Sequence, residues 1–314
     1  MRNWTATEID FLLRIGYVFM QNEAIRILVA PRVLQSPFQI RNSSGDLIAG
    51  DLRVLNAPQP AATIIICHGS TAFKEWGPFP YFGTRFAEYG FLSVTFNFSH
   101  NGIGANPRKF TEFEKFSKNT IGKELEDLRG VIDALRRGSL GNERFSSGCI
   151  GVVGHSRGAA IALLGAAEDD RIRAVAAWAP VATVFRYTEH QREVWERQGY
   201  LPISLRSTRT RLRFDRDVLR DLEANRDRYN LEGAMRRLKI PVLLVHGRAD
   251  VSVRPEEAVR LHEASDRSRT DLLLLDRTGH TFGAKHPFRG HHPTIDHLVD
   301  ITAQWFTHHL KENS

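Results

Sequence analysis

No stretch limits the folds open to this chain more than Gly154-His155-Ser156-Arg157-Gly158. Before it stands the apolar run Cys149-Ile150-Gly151-Val152-Val153, and after it the small, helix-favouring run Ala159-Ala160-Ile161-Ala162-Leu163-Leu164. A buried strand that turns straight into a helix through G-x-S-x-G has the form of a nucleophile elbow. The glycines follow from sterics: a side chain at 154 or 158 would collide where strand and helix cross, and the turn holds Ser156 in a backbone conformation that most residues avoid. The hydroxyl then stands clear at the carboxyl end of the sheet, facing the positive end of the next helix.

The rest of the chain supplies the sheet such an elbow needs. Phe38–Arg41 and Leu47–Leu55 flank the turn cluster Asn42-Ser43-Ser44-Gly45-Asp46 and read as an antiparallel hairpin. Ala61–Cys67 is a continuous apolar run, as in a strand buried on both faces. A helix over 79–90, a strand over Phe91–Phe98 and an amphipathic helix over Glu124–Arg136 come next. After the elbow, Arg173–Ala179, Pro241–Gly247 and Asp271–Leu275 read as strands, and Thr294–Leu310 as a closing helix. Strands alternating with helices after an initial hairpin predict an α/β fold, a mostly parallel sheet covered by helices on both faces. The alternation lapses over 182–239, predicting a small helical, cap-like insertion after the sixth strand. Residues 1–35 form an extension without recognisable chemistry, and 36–314 form one domain.

A serine nucleophile needs a base to accept its proton and an acid to orient that base. In an elbow-bearing sheet these follow the serine in the order acid, then histidine, each just past a strand end. Asp250 comes after Val242-Leu243-Leu244-Val245-His246-Gly247, and His280 comes after Leu272–Leu275 and the turn Asp276-Arg277-Thr278-Gly279. Ser156, Asp250 and His280 are therefore the catalytic candidates. Among the thirteen histidines, His286, His291 and His292 lie further into a loop, and adjacent side chains at 291 and 292 point apart. No metal site is expected. The oxyanion of an acyl-transfer intermediate needs two N–H donors. Arg157 supplies one from its backbone, and the loop His68-Gly69-Ser70-Thr71 supplies the other, with Ser70 the first choice and Thr71 the alternative.

Together these residues resemble the α/β-hydrolase superfamily, and within it the cytosolic dienelactone-hydrolase and prolyl-oligopeptidase-like esterases. The resemblance runs from about Phe38 to the carboxyl terminus. It rests on His68-Gly69, Phe73-Lys74-Glu75-Trp76-Gly77, Asn97-Phe98-Ser99-His100-Asn101-Gly102, the elbow, His246-Gly247-Arg248-Ala249-Asp250 and Gly279-His280. Dienelactone hydrolase proper carries Cys where this chain has Ser156. The resemblance implies a hydrolase without metal or organic cofactor, and a site rim shaped by Lys74, Trp76 and the stretch holding His100. A carboxylic ester is the expected substrate, with thioester or peptide cleavage as the alternative within the same chemistry. A ligand-binding protein without catalysis is the contrasting reading, and the intact Ser, Asp and His argue against it.

The formal charge of +7 raises the question of an anionic partner. The arginines are scattered and no interleaved aromatic patch is present, so neither nucleic acid nor membrane is expected as a partner, and a small molecule is. The most basic run, Leu205–Arg213, makes Arg209 a candidate for gripping a substrate carboxylate or phosphate. Its competing reading is a solvated surface paired with Asp215, Asp217 and Asp221. Two cysteines, Cys67 and Cys149, sit at opposite ends of their strands and cannot bridge, which fits a cytoplasmic location.

Overall fold

A computed structural model describes residues 32–56, 60, 62–141, 148–205 and 210–310. Its centre is an eight-stranded sheet of β1 (Val33–Arg41), β2 (Leu47–Leu55), β3 (Ala62–Cys67), β4 (Leu92–Asn97), β5 (Cys149–His155), β6 (Ile172–Trp178), β9 (Val242–Gly247) and β10 (Thr270–Leu275). The order across the sheet is β1-β2-β4-β3-β5-β6-β9-β10. β2 runs antiparallel to β1 and β4, and every other pairing is parallel. The elbow strand β5 thus lies between β3 and β6, with its carboxyl end beside the ends that carry the other functional loops. β3, β4 and β9 are buried along their whole length, as expected of strands covered on both faces.

Helices α1 (Phe79–Glu88) and α9 (Pro293–Leu310) cover one face, while α3 (Ile121–Arg136), α4 (Arg157–Glu168) and α8 (Pro255–Ala264) contribute to the other core. α3 begins at Thr120, whose hydroxyl accepts from the Lys123 N–H, and turns Leu125, Leu128, Ile132 and Leu135 inward. α4 is small and apolar, with Ala159–Leu164 fully buried, so it packs closely against the sheet behind the elbow.

Two expectations need correcting. The first strand begins at Val33, so the last residues of the 1–35 extension belong to the sheet; the remainder of that extension, 1–31, lies outside the described residues. β1 is an edge strand exposed over much of its length. It therefore needs neither alternation nor an apolar run, and it tolerates Pro37.

The insertion after β6 is not wholly helical. Besides α5 (Glu189–Gln198), α6 (Arg216–Ala224) and α7 (Leu231–Arg237), it contains an antiparallel hairpin of β7 (Tyr200–Leu205) and β8 (Thr210–Asp215). Exposed Arg211 and Arg213 alternate in β8 with buried Leu212 and Phe214. Arg211 and Arg213 are the wet face of a strand whose dry face joins Trp195, Val218, Leu219 and Phe116 in a separate small core. α2 (Phe113–Ser117) supplies Phe116, whose ring stacks on Phe214 at 5.3 Å.

Candidate active site

Strand β5 ends at His155, and α4 begins at Arg157, which leaves Ser156 alone to make the turn. Its backbone sits at φ 56°, ψ −119°, a region that favours glycine. Its N–H is fixed by the Trp178 carbonyl at 2.8 Å. A Cβ at Gly154 would lie 2.2 Å from the Gly158 carbonyl oxygen, and one at Gly158 would lie 2.3 Å from the Cys67 carbonyl oxygen, so neither position accepts a side chain. This is the strained turn expected of the G-x-S-x-G stretch, and neighbouring close packing over-determines it.

Ser156, His280 and Asp250 come from three strand ends and meet. The Ser156 hydroxyl is 3.0 Å from His280 Nε2, and His280 Nδ1 is 2.7 Å from Asp250 Oδ2. Asp250 is buried, and its Oδ1 accepts the N–H groups of Ser252 and Val253, both at 2.9 Å. Burial by itself would push this carboxyl up. The bonds from Val253, His280 and Ser252, together with the electrostatic influence of His280, outweigh burial and hold it below the ordinary carboxylate value. The imidazole is thereby fixed with Nδ1 protonated and Nε2 turned to the serine, the tautomer a general base requires.

Three further histidines support this arrangement, and none was singled out in the sequence for the part it plays. His246 is fully buried, with Nε2 2.9 Å from the Val253 carbonyl and 3.2 Å from Asp250 Oδ2. The Asp250 carboxylate thus faces two imidazoles. His155 Nε2 lies 2.9 Å from the His280 carbonyl oxygen and donates to it, and the two rings pack at 4.9 Å. Burial and the nearby His280 push His155 down to about 3, so it stays neutral and tethers the backbone of His280.

His68 lies behind the oxyanion loop. Its Nε2 faces the Phe98 N–H at 3.4 Å and the Asn101 amide at 3.3 Å, so Nε2 accepts and Nδ1 carries the proton. That proton goes to the Gly69 carbonyl at 2.9 Å, which also accepts from the Ala72 N–H at 3.1 Å. In a trans peptide the C=O and N–H point oppositely, so anchoring the Gly69 carbonyl aims the Ser70 N–H away from His68. Burial pushes His68 down to about 4 and keeps it neutral in this role. Gly69 passes the nucleophile closely: a Cβ there would be 3.4 Å from that of Ser156. Among the described residues, the N–H groups of Ser70 and Arg157 have no acceptor.

While the Arg157 N–H stays open, its side chain turns into the protein. Nε donates to Glu124 Oε2 at 2.8 Å and Nη2 to the Asn119 carbonyl at 3.0 Å, and Asn119 in turn donates to Glu124 Oε1 at 2.7 Å. The guanidinium also lies 6.0 Å from the Phe214 ring of the insertion. Burial raises the Glu124 carboxyl, and Arg157 and Asn119 oppose that rise. This closed ion pair fastens the elbow helix to α3 and to the insertion.

The residues expected at the rim divide. Trp76 is half-buried and stacks on His286 at 6.1 Å, and Phe73 meets the same ring at 5.5 Å. Lys74 is held by Asp51 at 2.7 Å and by Glu75, and its N–H donates to Asn97 at 2.7 Å. It straps the loop to β2 with its amine held by Asp51 and Glu75. His100 is buried beside Ser99, 3.7 Å from Asp46 on the β1–β2 turn. Arg209 lies outside the described residues. Trp195 is buried in the insertion's own core. Among the described residues no cluster of His, Cys, Asp or Glu has the form of a metal site.

This sheet and elbow define an α/β hydrolase. The prolyl oligopeptidase family matches residues 87–313, and the chain belongs to that family. It is a serine hydrolase of α/β fold. No curated protein matches it in sequence. Among solved structures, it is similar to the esterase domain of a Rhodothermus marinus protein, with 20% identity, a TM-score of 0.61, and coverage of 88% of this chain and 99% of that one. The α/β hydrolase GrgF from a Penicillium species superposes with a TM-score of 0.67 at 18% identity, over 88% of this chain and 99% of that one. Est1E from Butyrivibrio proteoclasticus gives 0.63 at 18% identity with the same coverage. At such identities the likeness is one of fold.

Proposed function

We propose that this protein hydrolyses a carboxylic ester through an acyl-enzyme intermediate. The observation that carries the reading is the unbroken line from Ser156 through His280 to Asp250, at 3.0 Å and 2.7 Å. His280 Nε2 takes the hydroxyl proton as Ser156 Oγ bonds to the carbonyl carbon, and the oxygen that becomes negative is held by the Ser70 and Arg157 N–H groups. The tetrahedral intermediate collapses, the ester C–O bond breaks, and His280 returns the proton to the departing alcohol. Water, deprotonated by the same imidazole, attacks the acyl-serine, and the acid leaves as Ser156 recovers its proton.

Esterases among the proteins of similar fold support an ester substrate; membership of the prolyl oligopeptidase family supports peptide cleavage as the second reading. Cys149 lies beside Ala62 and Cys67 beside Gly154, at opposite ends of adjacent strands, which supports a reducing, cytoplasmic setting. Among the described residues no helix is long and apolar enough to cross a membrane.

A fluorophosphonate probe and a pair of chromogenic substrates test the reading. We expect covalent labelling at Ser156 and turnover of short aryl esters well above that of peptide anilides. Faster anilide cleavage would replace the ester reading with the peptidase one, and an unlabelled Ser156 would remove both.

A further inference from the structure

The insertion contains a cavity with arginines in its lining. Among the described residues, several of its arginines are paired: Arg186 with Glu257, Arg213 with Glu114 and Asp215, Arg216 with Glu196, Arg228 with Glu168. Arg192 and Arg226 have no carboxylate partner among the described residues, and both line one cavity of about 170 Å³. The Arg226 guanidinium lies over the Phe185 ring at 4.5 Å, a contact that holds its planar fork in place. Leu219 and Leu222 form the apolar wall, and Tyr187 closes the side nearest Arg157. The Tyr187 hydroxyl has no hydrogen-bond partner among the described residues. Burial raises its pKa, opposed by Arg157 and Arg186, so it remains a donor.

We propose that this cavity binds a small carboxylate carried on an apolar body, with Arg192 and Arg226 gripping the anion and Phe185, Leu219 and Leu222 enclosing the body. The lining holds two arginines and one carboxylate residue, Glu223, so it keeps a net positive charge. Arginine's fork matches a carboxylate in two parallel bonds, and such charge-assisted bonds are the strong ones. The volume lies well below the roughly 300–1,000 Å³ of pockets that hold drug-sized molecules, which points to a compact acid. The acid is either the product of the protein's own hydrolysis or a separate effector, and the chemistry of recognition is the same for both.

Calorimetric titration with benzoate, and with benzamide as its uncharged counterpart, tests the site without reference to turnover. It therefore fails or succeeds independently of the ester reading. Saturable benzoate binding is expected, with benzamide weaker by roughly ten- to a hundredfold, the loss of a charge-assisted pair. R192Q and R226Q are each expected to weaken benzoate about tenfold. R220Q, at an exposed residue 3.8 Å from Asp217, should leave it unchanged. Competitive inhibition of ester turnover by benzoate that R192Q and R226Q relieve marks the acid as product, and binding without competition marks it as effector. Absence of saturable binding, equal affinity for benzamide, or indifference to both Arg192 and Arg226 overturns the proposal.

Discussion

Two buried polar networks flank Ser156, and they are built for opposite ends. On one side His280, Asp250 and His246 form a line that finishes at the Ser156 hydroxyl, with the His280 side chain 21% exposed. On the other side Arg157, Glu124 and Asn119 close on one another, with Glu124 only 2% exposed. The open line has a group to which it can pass a proton, whereas the closed one has its charges matched in place. Adjacent residues of one turn thus separate chemistry from anchorage, and disruption should separate activity from stability in the same way.

The largest effects fall on the open line. Ser156→Ala and His280→Ala should each lower ester turnover by roughly 10⁴–10⁶-fold, and Asp250→Asn by less, because members of such a line act as a unit. Circular dichroism and unfolding midpoints should stay near those of the parent. A His280→Ala protein that kept near-normal rates would move the base to another histidine.

The closed pair should behave in reverse. Arg157→Met or Glu124→Leu alone leaves an uncompensated buried charge and should cost about 3–5 kcal/mol in urea unfolding. The double replacement should recover most of that loss. If the single changes proved as mild as surface substitutions, the closed network would be misread.

Stability should also depend on acid through His68 and His155. Both are held neutral, with folded values pushed down to about 4 and about 3, below the ordinary value near 6.5. The unfolded chain therefore binds more protons, so their contribution is complete above about pH 6.5 and drains as pH falls through about 4 and then about 3. For His68 this amounts to on the order of 3 kcal/mol. The unfolding midpoint should decline across that window, and His155→Phe should make the decline shallower. A midpoint flat between neutrality and pH 4 would contradict neutral burial.

The smallest effect concerns His246. His246 Nε2 gives its proton to the Val253 carbonyl while lying 3.2 Å from Asp250 Oδ2, so its N–H dipole favours the carboxylate and lessens that carboxylate's support of the His280 cation. His246→Leu should therefore move the acid limb of kcat/KM toward higher pH while KM changes little. His246→Gln, whose amide can donate from a similar position, should restore the limb. An unmoved limb in the Leu variant would reduce His246 to packing.

How much of this was legible in the chain depends on the range of the interactions. The elbow was, because Gly154, Ser156 and Gly158 answer to sterics within five residues and the flanking runs announce strand and helix. The meeting of Ser156, Asp250 and His280 was anticipated from their order and from their places just past buried strands. The β7–β8 hairpin was masked by its charge: a run rich in arginine reads as helix or loop until the alternation of Leu212 and Phe214 with Arg211 and Arg213 is set against a core.

By itself, the sequence determined the sheet, the elbow and which loops carry Ser156, Asp250 and His280, since these follow from local periodicity and the fixed sense of chain order in a parallel sheet. Only the tertiary structure decided which neighbours those groups have. His246 on Asp250, His155 on the His280 carbonyl, His68 behind the Ser70 peptide and Glu124 under Arg157 are contacts across the fold, as are the unpaired arginines of the insertion's cavity. The physical reason is that burial and hydrogen bonding fix a side chain's charge and direction, and both belong to the assembled surroundings rather than to the residue.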